Sequence, residues 1–489
     1  MMIKIARNLL SQLRRYLALT VLVSITACSG VLSTAVTIIA EGGISGTGIS
    51  FGSIIGFSSV IVNGTKLEVT NNTEIFVDEL FATQADLKVG HVIRVDTDFE
   101  NKIAKRIDYV ETVRGPIVIV PTFNPDTFEG SFDLLGQAIV TQSNTILDGF
   151  SDLSLLSIGD VLDVSGVRNS NGAIIARYIN LKLPPATEYR VIGTVSDFTG
   201  ASFKIGNLTI DFSTADTGEL DGVSIDENIE VRIKGTSSSY DSGLSSIVAS
   251  KITPNPLQVV ATDNIQLELE GAINEFTSLT NFKVNGIAIN ASNAVFEQGS
   301  AADLQLNQLV EVEGTVSSGI TNATKVKILA TSKIRVESKV DSIDPPTSSI
   351  TVQGVVFLID EHTQMEDDSA SNIAQFSLAD LSPNDYVKIR AYELDNQYFL
   401  TRLERTGPET ELKIQAFVDS GSVDIGAKTI SLLGITISTD FDTEYEDVND
   451  LPIIEADFFS MVLDGRLIKA KWSTFNSITD PVDELSFED

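Results

Sequence analysis

Apolar and polar residues alternate in short runs along most of this chain. Ile265-Gln266-Leu267-Glu268-Leu269-Glu270 is typical, and it is the pattern of a strand with one buried and one wet face. The runs come in recurring groups. A group opens with glycine, any residue, a β-branched residue and soon an aromatic: Gly52 and Ile54 with Phe57, Gly193 and Val195 with Phe198, Gly271 and Ile273 with Phe276. Their repeat spacing makes these three phenylalanines core candidates. A second strand and a tight turn follow, at Asn63-Gly64, Leu135-Gly136, Gly206-Asn207, Asn285-Gly286, Gln353-Gly354 and Leu433-Gly434. Glycine and asparagine accept the positive φ that a two-residue hairpin turn demands. Counted from residues 64, 136, 207, 286, 354 and 434, the spacings are 72, 71, 79, 68 and 80.

Each group then carries a third strand, a short variable stretch and a closing signature. The signature reads LKVGHVIRV at 87–95, LSIGDVLDVSG at 156–166, LQLNQLVEVEG at 304–314 and LSPNDYVKIRA at 381–391. The third copy, IDENIEVRIKG at 225–235, is looser, and the sixth, around Ala456 to Leu463, is barely legible. A last strand such as Lys325-Val326-Lys327-Ile328 ends the group.

Five antiparallel strands in about 70 residues, with a break between the third and fourth, fit a small OB-like β-barrel better than a β-sandwich, which wants about 100 residues. The sequence therefore predicts an all-β fold, a tandem array of six five-stranded OB-like barrels after an N-terminal lipoprotein signal helix. The segments are 1–28 signal peptide, 29–50 Gly-rich tether, 51–114, 115–186, 187–256, 257–333, 334–408 and 409–475 as barrels, and 476–489 as an acidic tail. Linkers at Gly115-Pro116, Pro184-Pro185, Pro254-Asn255-Pro256 and Gly407-Pro408 agree with these boundaries, whereas Pro345-Pro346 falls between the first two strands of the fifth unit. Placed end to end, six such units would reach on the order of 170 Å.

The run GGISGTGIS, followed by GSIIGFSSVIVNG and LKVGHVIRV, resembles the bacterial domain-of-unknown-function family numbered 5666, which occurs as tandem copies in exported proteins. The likeness is strong over residues 42–110, fair in units two, four and five, and weak in three and six. It implies architecture and export, and brings no catalytic residue.

The N-terminus points the same way. Lys4, Arg7, Arg14 and Arg15 precede an apolar stretch from Tyr16 to Ile25, then Thr26, Ala27 and Cys28, the single cysteine of the 489-residue chain. This is the charged, apolar, small-residue order of a secretory signal. Ile25-Thr26-Ala27-Cys28 is similar to a bacterial lipobox, which implies lipidation at Cys28 and, with Ser29 after it, an outer-membrane lipoprotein facing the periplasm or cell surface. The other reading is an uncleaved anchor that continues through Val31–Ala40, long enough with the first stretch to span a bilayer. Residues 41–50, EGGISGTGIS, read as a flexible tether.

Charge narrows the partners. The chain has 67 acidic against 34 basic residues, a net of −33, and removing the leader leaves 30 basic residues and −37. Such a surface repels nucleic acid, leaving cations, neutral polysaccharide and basic proteins as partners.

Candidate chemistry is sparse. Only His91 and His362 offer imidazoles, so no metal or other cofactor is expected, and both are expected at the surface. Gly43-Ile44-Ser45-Gly46-Thr47 fails as a nucleophile elbow, and no phosphate-cradling loop occurs. Carboxylates at Asp440, Asp442, Glu444, Glu446, Asp447 and Asp450, and at Glu366, Asp367 and Asp368, resemble hard-cation ligands only in type, since Tyr445 replaces the glycine of an EF-hand. They read as solvated loops, and Trp472 as core. The expected function is a non-catalytic, lipid-anchored envelope protein whose barrels act as spacers or bind polysaccharide or a protein. The alternative is an enzyme using acidic residues, with or without a divalent cation.

Overall fold

In the computed structural model the described residues are 47–57, 59–124, 129–220, 222–330 and 332–488, and these fall in one compact unit. The signal segment, Cys28 and residues 29–46 of the tether lie outside the described residues. The fold is all-β, a tandem array of small barrels, with one helix, Glu455–Met461, and several short 3-10 turns among the described residues.

Module 4 shows the plan. Its first strand, Gln266–Ser278, pairs with the fourth, Leu309–Ser317, along its first half and with the second, Asn281–Val284, along the rest. The second makes a hairpin with the third, Ile287–Asn290, and the third lies parallel to the fifth, Ile320–Ile328, which pairs with the fourth. The order 1-2-3-5-4 thus closes on itself around buried Ile273, Phe282, Val284, Val310, Val312 and Val326, the arrangement of an OB-type barrel. Modules 2 and 5 repeat it, and in module 1 the third-to-fifth closure is the single parallel bridge between Glu68 and Ile103. In module 3 the closing strand is interrupted, as Ser246–Val248 and Lys251–Pro254.

The recurring residues have local reasons. Asn63, Leu135, Asn285, Gln353 and Leu433 all take φ between 48° and 56°, each followed by a glycine of positive φ, the twist a tight hairpin requires. In modules 1 and 4 the turn asparagine also folds back over the opening glycine. Asn63 Nδ2 donates to the Phe51 carbonyl at 3.1 Å and Asn285 Nδ2 to that of Glu270 at 2.8 Å. A Cβ on Gly52 or Gly271 would lie 2.2 or 2.5 Å from that amide, so the two sequence marks are halves of one contact. The closing signature has its own left-handed residue, Gly90, Gly159, Asn228, Asn307, Asn384 and Gly465. Through Gly465 the sixth copy is located at Val462–Ala470, after the helix that displaced it from its expected place.

Module boundaries shift at both ends. The first strand begins at Thr47, so the last residues of the expected tether are strand. Gly48 is there for close approach, since its Cβ would meet the Gln266 carbonyl at 2.3 Å; glycine-richness here means backbone contact and not slack. At the other end Glu484–Phe487, inside the expected acidic tail, is the fifth strand of module 6, with Leu485 and Phe487 buried. Four residues among acidic neighbours give too short an alternation to read. Trp472 is buried in the fourth strand, its Nε1 donating to the Asp480 carbonyl at 3.1 Å. Phe57 is buried and Phe198 packs on Phe212, but Phe276 is exposed at a strand end.

The barrels associate through their first strands. Because the switch of partner leaves one edge of the first half unpaired, a sibling covers it. Gly48–Phe51 of module 1 runs parallel to Gln266–Leu269 of module 4. Val113 and Arg114 of module 2 pair with Val191 and Arg190 of module 3, and Arg335–Glu337 of module 5 with Lys413–Gln415 of module 6. Further contacts join the pairs: Ser165 of module 2 accepts from Val92 N of module 1 at 2.8 Å, and Arg232 of module 3 reaches Asp78 of module 1 at 2.6 Å. An end-to-end arrangement is therefore not what the described residues form.

This packing corrects the reading of the alternating strand. Glu268 and Glu270 occupy its polar face, yet only 4% and 2% of each is exposed. Glu270 is bonded to Arg177 of module 2 and accepts from Ser53 N and Oγ of module 1 at 2.8 and 2.7 Å. The wet face of an isolated barrel has become an ionic seam.

Candidate functional site

Where modules 1, 2 and 5 meet, a cleft of about 840 Å³ opens. Its floor comes from the fourth and fifth strands of module 5, Tyr386–Leu394 and Gln397–Arg405, whose alternation puts Lys388, Arg390, Arg402 and Glu404 on one face. One wall is the short strand Gln364–Asp367 and the loop after it. Module 2 supplies Asp148, Phe150 and Tyr178, and module 1 supplies Phe57 and Lys88.

Opposite charges interleave across the floor. Arg402 holds Glu366 at 2.9 Å and Glu404 at 2.8 Å, and its other nitrogen donates to the Thr145 carbonyl of module 2 at 3.2 Å. Arg390 Nε donates to the Ser143 carbonyl at 3.3 Å, so both guanidiniums tie module 5 to module 2. The Tyr178 hydroxyl is bonded to Asp148. Burial raises the Glu366 carboxyl despite Arg402, with Glu404 adding, and burial and Glu404 likewise raise Asp368. These groups present donors and acceptors at fixed spacing beside aromatic rings, an arrangement suited to a ligand rich in hydroxyls.

The sequence candidates divide. Glu366 and Asp368 line the cleft, but Asp367 also turns into the wall. It takes a two-pronged bond from Arg405, at 2.9 and 2.7 Å, and accepts from Ser369 N and Ile373 N; burial pushes its carboxyl up, but these bonds outweigh that and hold it well below the usual range. His91 is not at the surface. It is buried, stacked 3.7 Å from Tyr109 and edge-on to Tyr178 behind the cleft, and burial, with Lys88 adding, lowers it to about 3. Its Nδ1 accepts from Lys88 N at 3.2 Å, the turn bond that the half-buried Asp160 and Asp385 make at the equivalent positions by accepting from Ser157 N and Ser382 N. His362 is also largely covered, at the meeting of modules 1, 4 and 5, with Nδ1 3.1 Å from Glu311 and its ring against Gly64. Burial opposes its protonation, yet Glu311 raises its pKa.

The carboxylates of 440–450 stay apart from the cleft and shape turns: Asp440 accepts from Asp442 N at 2.9 Å, and Asp447 from Asn449 N and Leu451 N. Among the described residues no group of three His, Cys, Asp or Glu is placed to hold a metal ion. Cys28 lies outside the described residues. Arg390, Arg402, Asp148 and Tyr178 escaped the sequence reading, since their alternation marked only a polar strand face.

Strand order, closure and the parallel third and fifth strands define an all-β protein of tandem OB-type barrels. Modules 1, 2, 4 and 5 are four tandem copies of a family described as a domain of unknown function, DUF5666, matched over residues 50–108, 123–180, 270–327 and 337–404. Modules 3 and 6, which fall outside those segments, are the two with an interrupted closing strand and an inserted helix. No curated protein and no solved structure matches the chain.

Proposed function

We propose that this is a non-catalytic, lipid-anchored protein of the bacterial cell envelope that binds polysaccharide in the cleft between modules 1, 2 and 5. The observation that carries the reading is the cleft itself, where the five carboxylates of Asp148, Glu366, Asp367, Asp368 and Glu404 are interleaved with Lys88, Lys388, Arg390 and Arg402 beside Phe57 and Phe150. Neutral sugars suit such a lining, because each hydroxyl both donates and accepts. The anchor at Cys28 and outer-membrane location rest on the order of residues 1–29.

A glycan array probed with the full chain, followed by titration of any hit, tests the reading. Asp368→Asn, at the rim, and Lys388→Ala, on the floor, should each weaken binding about tenfold or more, as loss of one charged hydrogen bond at a site does. Binding that ignores both substitutions removes the cleft from the account. The enzyme reading draws on the raised carboxyls of Glu366 and Asp368, and release of sugar products would favour it. Labelling with palmitate should fail in Cys28→Ala; a labelled variant would rule out that anchor.

A further inference from the structure

Module 6 carries a second surface, distinct from the cleft. Phe441 is 92% exposed, Leu463 69%, Ile425 66%, Ile454 65%, Leu451 58% and Phe417 43%. Single exposed apolar residues are ordinary, but a cluster on one small barrel is not. Internal contacts bring Ile425, Phe441 and Ile454 together at the start of the helix, and Phe417 and Leu463 together beyond its end. Lys428 pairs with Glu455 at 2.6 Å, which sets the loop of Ile425 beside the helix start that follows Ile454. Thr439 donates to the Lys428 carbonyl at 3.1 Å, drawing in the segment that leads to Phe441. Tyr445 pairs with Ile453 and Gly465 N donates to the Val418 carbonyl at 2.8 Å, which places Leu463 near the strand end at Phe417.

The rim is acidic. From Phe417 to Arg466 there are eleven carboxylates against Lys428 and Arg466; Lys428 is taken by Glu455, and the Arg466 guanidinium sits 5.2 Å over the Phe487 ring. Asp440, Asp442, Glu444, Asp450 and Asp457 are exposed. This charge selects the occupant. A second copy would bring the same rim on a chain of net −33, and an anionic bilayer would be repelled in the same way.

We propose that this face of module 6 docks a protein whose contact surface is apolar at its centre and basic around it. The apolar residues would supply the affinity, and the carboxylates the approach rate and the choice of partner.

A defined probe decides it. The full chain is titrated with an amphipathic helical peptide of lysine and leucine, and with a lysine and serine peptide of equal charge. The first should bind and the second should bind weakly. Phe441→Ser with Ile454→Ser, both exposed, should cost the first peptide about tenfold or more, since each loses burial of a large side chain, while leaving the second unchanged and melting close to that of the parent. Equal binding of both peptides, or a double variant with full affinity, overturns the proposal. So does loss in that variant of a concentration-dependent dimer or of binding to phosphatidylglycerol vesicles, which would assign the face to a second copy or to a membrane. Glycan binding at the cleft should be untouched.

Discussion

Two acidic stretches of this molecule look alike on paper and behave in opposite ways. In Gln266–Glu270 of module 4 the carboxylates are buried between barrels, whereas in Asp440–Asp450 of module 6 most stand in solvent or fold back on their own loop. Alternation places a side chain on the outer face of a barrel; whether that face is wet depends on what another barrel brings to it. Where module 2 brings Arg177 and module 1 brings Ser53, a carboxylate becomes structural.

The largest effect should come from breaking the buried side of the comparison. Glu270→Ala leaves Arg177 charged and unpaired in the seam and should cost about 3–5 kcal/mol, read as a lower urea midpoint. A midpoint within error of the parent would mean water reaches the seam. Gly271→Ala comes next: its Cβ meets Asn285 at 2.5 Å, and overpacking of this kind costs about 1–3 kcal/mol. Adding Asn285→Gly should recover part of the loss, which a general strand defect would not allow.

Glu268 sharpens the comparison through pH. Burial, with Glu313 and Glu311 adding, lifts its carboxyl to about 7 against hydrogen bonds from Thr65 and Ser50. A folded pKa above the unfolded one means the folded state holds its proton longer, so this group's contribution falls as pH rises from about 4.5 to about 7. Glu268→Gln should melt with the parent at pH 4.5 and above it at pH 8. Glu337 has the opposite sign. Burial pushes its carboxyl up, but Arg335, Lys413 and Arg390 outweigh that and hold it at about 2, so its contribution is lost as pH falls from about 4.5 to about 2. The smallest effect belongs to the solvated side: Asp442→Asn should stay within about 0.5 kcal/mol, with calcium leaving the melting temperature unchanged.

Much of the fold was legible because its signals are local. Asn63-Gly64 and Asn285-Gly286 mark turns through backbone conformation alone, and Leu-x-x-Gly or Leu-x-x-Asn marks the way into a fourth strand for the same reason. The sixth signature was misplaced because a helix absent from the siblings precedes it. The cleft was not legible. Arg402 and Asp148 lie more than two hundred residues apart, and a strand that alternates into solvent has the same sequence as one that alternates into a neighbour.

The sequence by itself determined the period, the β character, the turns and the acidity, since each depends on neighbours within a few residues or on composition. Tertiary structure decided that module 1 pairs with module 4, that Gly48 serves a strand contact, that His91 is buried, and that Arg390 and Arg402 meet module 2. The physical reason is that an unpaired strand edge and a charged strand face accept many partners equally well. Their choice follows from which surfaces the packed barrels bring within reach.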